Sequence, residues 1–513
     1  MEVLCISIVL IVSSLVLLYK WYTANFDYFD KKGIKCIKPE LLKLGKPGWP
    51  FKSVCITEVL CEAYNKYPEE ELIGLFQFRR PVYFIKSVEF LKKVTIKDFG
   101  HFQDHNDMIN ADFNEIFAST LASMKGKQWR EMRLALTPAF TGSKMRLMLQ
   151  FINKCCHQLV SYINAELQTS QQKAFSVKEV FAKYTNDVVA TCAFGVECNS
   201  FKDPNNEIYL TGKDLADFQS PLRMYKLALS FFVPKLAKLL GIEAFSEVKM
   251  KRFRDIIIET METREKNGIV RPDMINILME LKKSNITREE IEGKRVWTET
   301  ELIAQCFQFF LAGFEPSSAL MSYIAYELAV NPEVQDKLIQ EIDEAHKNLK
   351  GEPLTYEALS NMKYLNMVVS EVLRKWPPGV ATDRICVQDY QYEDNSGHTI
   401  NIENGTLFTI PIYAFHMDPA NFPDPEKFYP ERFSEENNPK LDAFLPFGVG
   451  PRNCIGFRFA LMEAKALFYH MLHSFKINVG KDTQVPMQLR KTIMGLFPDT
   501  PIKLYFVPRE KLV

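Results

Sequence analysis

The segment from Phe447 to Gly456 constrains what this chain can fold into more than any other part of its sequence. It reads Phe-Gly-Val-Gly-Pro-Arg-Asn-Cys-Ile-Gly and stands just before a predicted helix that begins near Gly456. Its glycines allow tight turns and a close approach of the backbone to a flat ligand. Cys454 would therefore lie at the positive end of a helix, where backbone N–H groups favour thiolate over thiol. The alternative is a glycine- and proline-rich turn that carries an inert cysteine.

A thiolate at an open, partly apolar position can be the axial ligand of haem iron, where it favours cleavage of the O–O bond. Arg452, two residues before Cys454, is then placed to pair with a haem propionate. The chain has 11 cysteines in all, and none is spaced as C-x-x-C. This pattern favours neither a disulfide framework nor a zinc site, and it indicates a reducing compartment.

The spacing of Phe447, Gly450, Arg452, Cys454 and Gly456 resembles the haem-binding loop of the cytochrome P450 family. The resemblance implies a bound haem b whose iron is held by the axial thiolate of Cys454, with Phe447 and Gly456 among the residues around it. The resemblance covers essentially the whole chain, and three further segments carry it.

The first of these segments is Glu371-Val-Leu-Arg374, which resembles the family's E-x-x-R pair. At a spacing of three residues both side chains lie on one helix face. Downstream, Pro430-Glu431-Arg432-Phe433 resembles the family's P-x-R-F segment. The resemblance implies a buried triad of Glu371, Arg374 and Arg432 with a structural role.

The second segment concerns the haem propionates. Trp129 and Arg133 lie one turn apart on a predicted helix and resemble the family's propionate-binding pair. Arg384 matches a third family partner of the propionates. His416 lies in the same part of the sequence, and we interpret it as a buried histidine with its hydrogen bonds satisfied, not as a ligand.

The third segment, Ala312 to Ser318, resembles the family's oxygen-binding helix with one departure. The family has a threonine after the acidic residue, and its hydroxyl helps to deliver protons during oxygen activation; here that position is Pro316. Proline has no N–H to donate to the carbonyl of Ala312, and its ring strains that turn. Glu315 and Ser317 are therefore the candidate catalytic residues. Either Ser317 takes over the proton delivery through a kink, or water relays protons from Glu315.

The first residues predict a membrane anchor. An apolar run from Val3 to Tyr19 ends at Lys20, and at ~1.5 Å per residue it is about 25 Å long. A cleaved signal peptide would need a basic start, and a buried helix is the other alternative. We expect residues 1–22 to form an uncleaved anchor, 23–50 a linker with a proline-rich bend, and 51–513 a catalytic haem-thiolate domain. The positive-inside rule then predicts a cytosolic catalytic domain.

Periodicity along the chain predicts mostly α-helix with small β-sheets, in a single haem-binding globule of the P450 fold. A strand pair is expected around Pro81 within Leu75 to Ile85. Long helices are expected from about Thr298 to Val330 and from Asn361 to Lys375, and short strands between Thr399 and Ile412.

The charges balance, with 63 basic and 63 acidic residues, which argues against a nucleic-acid partner. The resemblance implies a monooxygenase that inserts one oxygen atom from O₂ into a small apolar substrate. Electrons would come from NADPH through NADPH-cytochrome P450 reductase, with cytochrome b5 as a second candidate donor, at the endoplasmic reticulum membrane. Two alternatives stay open: a haem-thiolate peroxygenase or isomerase, which Pro316 suggests, and a non-catalytic haem sensor.

Two segments, Asn25 to Asp30 and Phe194 to Pro204, resemble insect microsomal P450s of the xenobiotic-oxidising families six and nine. Plant toxins and insecticides are the substrates this implies. The resemblance also implies a substrate pocket lined from five stretches: His101 to Leu121, Leu222 to Ile242, Phe307 to Phe314, Val380 to Thr382, and Ile493 to Phe497. The part from Leu227 to Leu240 is expected to contact the membrane surface as well.

Overall fold

The computed structural model describes residues 2–39, 55–77, 79–106, 114–170, 172–217, 220–232, 237, 239–242, 245–271, 273–288, 296–437, 440–492 and 495–510. Helix makes up 58% of the structure, and the strands form small sheets, which confirms the predicted fold class. The predicted bend from Lys46 to Pro50 lies outside the described residues.

The helices in the first half of the chain are α1 Glu2–Thr23, α2 Tyr28–Lys31, α3 Ile56–Lys66, α4 Val88–Lys92, α5 Glu115–Ala118, α6 Gly126–Leu136, α7 Gly142–Thr169, α8 Val177–Ala193, α9 Glu207–Leu215 and α10 Pro221–Phe232. Those of the second half are α11 Glu247–Asn267, α12 Met274–Arg288, α13 Glu299–Val330, α14 Pro332–Leu349, α15 Tyr356–Asn361, α16 Lys363–Lys375, α17 Ile412–Met417 and α18 Phe457–Ser474. A π-helical turn, Lys93–Lys97, follows α4, and short 3₁₀ turns include Pro430–Phe433 and Leu441–Ala443.

The strands are β1 Leu72–Gln77, β2 Arg80–Ile85, β3 Ala174–Ser176, β4 Thr382–Ile385, β5 Tyr390–Glu393, β6 Thr399–Ile402, β7 Leu407–Ile410, β8 Phe475–Asn478 and β9 Lys503–Pro508. They form a four-stranded sheet in the order β1-β2-β7-β4, a three-stranded sheet β3-β9-β8 and the hairpin β5-β6. In the four-stranded sheet only β2 and β7 run parallel, with Val82 opposite Leu407.

The predicted strand pair is confirmed, although Pro81 lies inside β2, opposite Phe76, and not at the turn. The helix expected from Asn361 to Lys375 begins at Lys363, because Met362 is extended and separates it from α15. The strands expected up to Ile412 end at Ile410, and Ile412 begins α17.

Helix α13 passes through the apolar interior and packs along α8. Its first turn is fixed by a capping box: the Thr298 hydroxyl accepts from the Glu301 N–H, and the Glu301 carboxylate accepts from the Thr298 N–H. Such a cap satisfies two N–H groups that the first helical turn would leave unpaired. The long helix therefore begins and ends where the sequence predicts, and it runs through Pro316 without a break.

The N-terminal helix α1 is the one helix of the described chain that is long and apolar enough to cross a membrane. Residues Leu4–Thr23 have a mean hydropathy of 2.2, and none of this stretch is buried against the rest of the protein. The alternative interpretation of this segment as a buried core helix is therefore wrong.

The predicted charge triad is present and buried. The Arg374 guanidinium donates to both carboxylate oxygens of Glu371, at 2.8 and 2.9 Å, and Arg432 Nε lies 3.4 Å from the same carboxylate. Arg374 also donates to the carbonyl oxygens of His416 and Pro425. Helix α16 is therefore tied to α17 and to the coil that leads to Cys454.

His416 is buried and satisfied, as predicted. Its Nδ1 lies 3.0 Å from the carbonyl oxygen of Arg374, and its Nε2 accepts from the Leu445 N–H at 2.8 Å. Burial and the nearby Arg374 charge lower the pKa of His416 to about 3, so the ring stays neutral and keeps both contacts.

Replacing Glu371 by glutamine should lower the free energy of unfolding by ~3–5 kcal/mol, because two buried guanidinium groups lose their carboxylate. Equilibrium urea unfolding, followed by circular dichroism, measures the loss. The matched control is Glu207→Gln, since Glu207 pairs with Arg252 at 2.7 Å and its side chain is 55% exposed. An exposed pair contributes only ~0–1 kcal/mol. Equal losses in the two variants would contradict a structural role for the triad.

Candidate active site

The cysteine loop, residues Phe447 to Gly456, lies between the 3₁₀ turn Leu441–Ala443 and helix α18. Gly448 and Gly450 have φ angles of 69° and 76°, a left-handed conformation that glycine adopts without strain. A Cβ atom on Gly450 would lie 1.9 Å from the carbonyl oxygen of Thr95, so the π-helical turn leaves no space for a side chain. The Cys454 N–H donates to the carbonyl oxygen of Phe447 at 2.8 Å and closes the loop.

Gly456 differs from the other two glycines. Its φ is −93°, and a Cβ there would make only an ordinary contact with Phe140. Gly456 lies in a turn, but its backbone conformation is one that other residues also adopt. Gly456 is the N-cap residue of α18 and lines the cavity described next.

A cavity opens above the cysteine loop. It encloses about 1150 Å³ that protein atoms do not fill, part of it continuous with solvent, and most of the surface around it is apolar. Seven of the ten predicted site residues line it: Trp129, Arg133, Ala312, Ser317, Arg452, Cys454 and Gly456. Phe447, Glu315 and Arg384 do not line it.

The Cys454 side chain is exposed to this cavity, although most of its surroundings are protein. Burial raises the pKa of the thiol, while the Gly456 N–H and the positive charge of Arg133 lower it to a smaller extent. The backbone N–H at the helix end therefore favours the thiolate, as expected, but desolvation of the charge is the larger effect. A metal cation bound to the sulfur would reverse this balance, since a coordinating thiol is deprotonated.

Two arginines line the cavity, one on α6 and one within the cysteine loop. Arg133, on α6, donates to the carbonyl oxygen and to Oδ1 of Asn453, both at 2.7 Å. Arg452 donates to the carbonyl oxygens of Gln103 and Met124, at 2.8 and 2.7 Å, and its guanidinium lies 4.1 Å from the centre of the Trp129 ring. Burial lowers the pKa of Arg133, and it lowers the pKa of Arg452 to about 9.

Arg384, on β4, lies behind His105, a residue of the cavity wall. Its Nη1 donates to the carbonyl oxygen of Asp383 at 2.6 Å and lies 3.4 Å from His105 Nδ1. Only 1% of Arg384 is exposed, and its Nε has no hydrogen-bond partner among the described residues. Burial lowers the pKa of Arg384 to about 10.

These arginines form a donor set that is short of negative charge. The nearest carboxylate to Arg452 is Asp104, whose Oδ1 is 3.4 Å away, and Arg384 keeps an unpaired nitrogen. Guanidinium groups bind carboxylates through paired N–H donors. A ligand with acidic groups on one edge and a thiolate-binding metal at its centre fits this donor set, and haem with its propionates has both features.

The predicted oxygen-binding segment contributes one helix face to the cavity. Ala312, Gly313 and Ser317 line the cavity, and Gly313 allows α8 to approach, since a Cβ there would lie 2.6 Å from the Val189 side chain. Ser317 reaches the cavity wall in an unbroken helix, so no kink is needed to bring it there.

Glu315 points away from the cavity to Lys178 on α8. The Lys178 ammonium lies 2.9 Å from the Glu315 carboxylate, 2.7 Å from Ser318 Oγ and 3.1 Å from the Glu315 carbonyl oxygen. Burial lowers the pKa of Lys178, and the neighbouring carboxylate opposes this effect. The acid of the segment is thus held in a half-buried ion pair.

Sequence reasoning missed several residues of the site. Asn453, which holds Arg133, belongs to the loop and could have been found by asking what each loop side chain contacts. Lys178 carries no local signal, whereas His105 lies within the stretch from His101 to Leu121 that was expected to line the pocket. Of the five stretches expected to form the pocket, His101 to Leu121 and Phe307 to Phe314 line this cavity, whereas the described residues of the other three do not. Residues 107–113 and 493–494 lie outside the described part.

A mostly helical fold with a cysteine at the base of an apolar cavity and buried arginines around it defines the class of haem-thiolate proteins. A family model for cytochrome P450 matches residues 52–506. The chain therefore belongs to the cytochrome P450 family and is a P450 monooxygenase, and the family implies haem with an iron thiolate, redox partner proteins and small-molecule substrates.

Curated relatives cover nearly the whole chain. It is 38% identical to "Probable cytochrome P450 9f2" of Drosophila melanogaster over 96% of this chain and 97% of that protein. It is 39% identical to "Cytochrome P450 9e2" of Blattella germanica over 91% of each, and 36% identical to "Cytochrome P450 6k1" of the same species over 98% and 97%. The expected likeness to insect families six and nine is confirmed.

Gly450→Ala should destabilise the protein by clearly more than the ~1–2 kcal/mol that a left-handed alanine costs, because the new methyl group displaces the backbone at Thr95. Urea unfolding of the full chain measures the difference. Gly351→Ala is the matched control: its φ is 87° and nothing lies within 4 Å of the added Cβ. If both variants lose the same stability, the close contact at Thr95 does not constrain the loop.

Proposed function

We propose that this monooxygenase binds haem b and oxidises small apolar xenobiotics, such as plant toxins or insecticides, with electrons from NADPH. The observation that carries the proposal is the placement of Cys454 at the base of an apolar cavity. Beside it, Arg452 and Arg384 have few contacts with carboxylates, so their positive charge is available to an anionic ligand. The likeness to insect families nine and six supports the substrate class, and the mainly apolar cavity wall favours ligands of that chemistry.

In this proposal each predicted site residue has a defined part. Cys454 would hold the haem iron through its thiolate, and Phe447 and Gly456 would be among the residues around the haem. Arg133, Arg384 and Arg452 would hold the propionates, and Trp129 packs against the Arg452 guanidinium. Ala312 leaves the facing helix surface open for substrate. The bound haem supplies the activation of oxygen.

Glu315 and Ser317 are the proposed proton-handling residues. Ser317 faces the cavity and can present a hydroxyl there, which Pro316 cannot. Glu315 would act through water, and it would first have to leave its ion pair with Lys178. This difference favours Ser317 as the residue that hands protons into the cavity.

Pro316 also motivates a second candidate, a haem-thiolate peroxygenase or isomerase, since neither reaction needs the threonine hydroxyl in the same way. A haem sensor without catalysis is the third. Consumption of NADPH in the presence of the reductase distinguishes the monooxygenase from both alternatives. Turnover driven by added peroxide then distinguishes the peroxygenase from the sensor.

We further propose that residues 1–22 anchor the protein in the endoplasmic reticulum membrane, that 23–50 are a linker, and that 51–513 form the catalytic domain on the cytosolic face. NADPH-cytochrome P450 reductase would be the electron donor, with cytochrome b5 as a second one. The unburied helix α1 supports the anchor.

A second, weaker membrane contact is supported by four exposed apolar side chains: Leu222, Tyr225, Leu239 and Leu240. The side chains of 231–236 lie outside the described residues.

Cys454→Ser should abolish the carbonyl spectrum typical of haem-thiolate proteins, because a hydroxyl does not replace the thiolate ligand. The spectrum of reduced, carbon-monoxide-treated protein measures this. Cys192→Ser is the matched control, since Cys192 is buried and lines the same cavity. A Cys454→Ser protein that keeps the wild-type spectrum would disprove the ligand assignment.

Removal of residues 1–22 should release most of the protein from membranes and leave a folded haem protein. Flotation with phospholipid vesicles measures attachment, and the carbonyl spectrum measures folding. Residual binding is expected through the surface around Leu239 and Leu240. Failure of the truncated chain to take up haem would mean that the first helix belongs to the core.

A further inference from the structure

Two glutamines of α13, Gln305 and Gln308, hold the segment that follows α5. The side-chain oxygen of Gln305 accepts from the Leu121 N–H at 3.0 Å. In the same way, the side-chain oxygen of Gln308 accepts from the Ala122 N–H at 3.1 Å. Because a backbone N–H can only donate, the amide oxygen must face this segment in both side chains. The NH₂ group is therefore the end that each glutamine has left for other contacts.

The NH₂ group of Gln305 is fully used within the fold. It donates to the carbonyl oxygens of Ser119 and Glu301, at 2.8 and 2.7 Å. None of the surface of Gln305 is exposed, and the residue does not line the cavity above Cys454. Gln305 is thus a structural residue that joins α13 to the segment after α5.

The NH₂ group of Gln308 has no such partners. Among the described residues, none accepts a hydrogen bond from it. Gln308 is only half-buried, and it lines the cavity above Cys454. Two N–H donors whose amide oxygen is already fixed are therefore available to a molecule that fills the cavity.

The position of Gln308 on the cavity wall leaves it without another assigned role. It lies four residues before Ala312, so the two side chains share one helix face. The other charged, amide, imidazole and hydroxyl side chains of the wall are those already described: Arg133, Arg452 and Asn453 at the cysteine loop, His105 beside Arg384, and Ser317. Gln308 carries the amide donor that neither the fold nor the proposed haem site uses.

The chemistry of this donor selects its acceptor. An amide NH₂ group donates hydrogen bonds but carries no charge, so it does not compensate a carboxylate in an apolar cavity, where unpaired charge is costly. An uncharged oxygen, such as a carbonyl oxygen, fits it better. In mainly apolar ligand pockets, a few placed polar groups of this kind fix the orientation of the ligand.

We propose that Gln308 is a specificity-determining residue that selects apolar substrates with an uncharged acceptor oxygen, such as the carbonyl of a ketone, ester or lactone. Its NH₂ group donates to that oxygen and holds the molecule against α13. A molecule of the same shape without the oxygen leaves the donor unpaired and binds less well. This inference rests on the proposed function and narrows its substrate class.

The first test compares two probes, benzophenone and diphenylmethane, which differ by a carbonyl group in place of a methylene group. Full-length holoprotein is titrated with each probe, and the change in absorbance of the ferric haem gives the two dissociation constants. One uncharged hydrogen bond changes an affinity by about three- to ten-fold. The ratio of the two affinities should therefore move by this factor against benzophenone in Gln308→Met.

Gln305→Met is the matched control. It removes the corresponding contact with the segment after α5, but it lies outside the cavity wall. It should lower the free energy of unfolding at least as much as Gln308→Met does, because Gln305 makes more hydrogen bonds. The ratio of the two probe affinities should stay at the wild-type value. If Gln308 served only to hold the segment, the two variants would change this ratio alike.

The second test measures the hydrogen bond itself. Infrared difference spectra of bound benzophenone, labelled and unlabelled at the carbonyl carbon, give the frequency of its C=O band. A hydrogen bond lowers this frequency below the value in hexane. The band should be lowered in the wild type, in Gln305→Met and in Ser317→Ala, and it should return toward the hexane value in Gln308→Met.

The proposal is overturned if the affinity ratio is unchanged in Gln308→Met, if Gln305→Met changes it equally, or if Ser317→Ala restores the hexane frequency. A wild type that does not bind benzophenone overturns it as well. If Gln308→Met takes up no haem, the band still decides: a lowered frequency in both the wild type and Ser317→Ala supports Gln308 as the donor, and the hexane frequency in either excludes it. A wild type without the haem-thiolate carbonyl spectrum contradicts the proposed function, whereas a normal spectrum without the predicted ratio contradicts only this inference.

Discussion

The carboxylate of Glu371 organises the half of the molecule that carries the cysteine. It lies buried between two guanidinium groups, and Arg374 in turn bonds the backbone carbonyls of His416 and Pro425. His416 extends this hydrogen-bond network, since its neutral ring contacts the Arg374 carbonyl oxygen and accepts from the Leu445 N–H. Leu445 stands two residues before the cysteine loop. The ion pair of Glu371 and Arg374 thus positions, through His416, the backbone that leads into the cysteine loop.

Buried arginines in this protein fall into two groups. Arg264 is held by both carboxylate oxygens of Asp273 at 2.7 Å, and Arg374 is held by Glu371, so their charges are compensated within the fold. Arg452 has a longer contact, 3.4 Å to Asp104 Oδ1, and Arg384 keeps one nitrogen without a hydrogen-bond partner among the described residues. Since buried charge is costly unless it is well paired, an anionic ligand would stabilise the second group more than the first.

Sequence alone predicts what is local. A few neighbouring residues encode each of three features: the loop around Cys454, the capped helix α13 and the E-x-x-R pair. Each of them is found where the sequence predicts it. The pairing of Glu315 with Lys178 joins two helices far apart in the chain, and no short pattern encodes it. The thiol of Cys454 shows the same limit: its position at a helix end is visible in the sequence, but the desolvation that raises its pKa comes from surrounding segments that lie far apart in the chain.

The consequence of Pro316 depends on this packing as well. Proline removes the N–H that would bond the Ala312 carbonyl, yet α13 continues unbroken. Gly313 lets α8 lie close, and from α8 the Thr185 hydroxyl donates to the Phe314 carbonyl at 3.2 Å while Lys178 donates to that of Glu315. The same lysine binds the Glu315 carboxylate. The side chains that support the helix at its proline therefore also hold its acid, Glu315, on the α8 side of the helix.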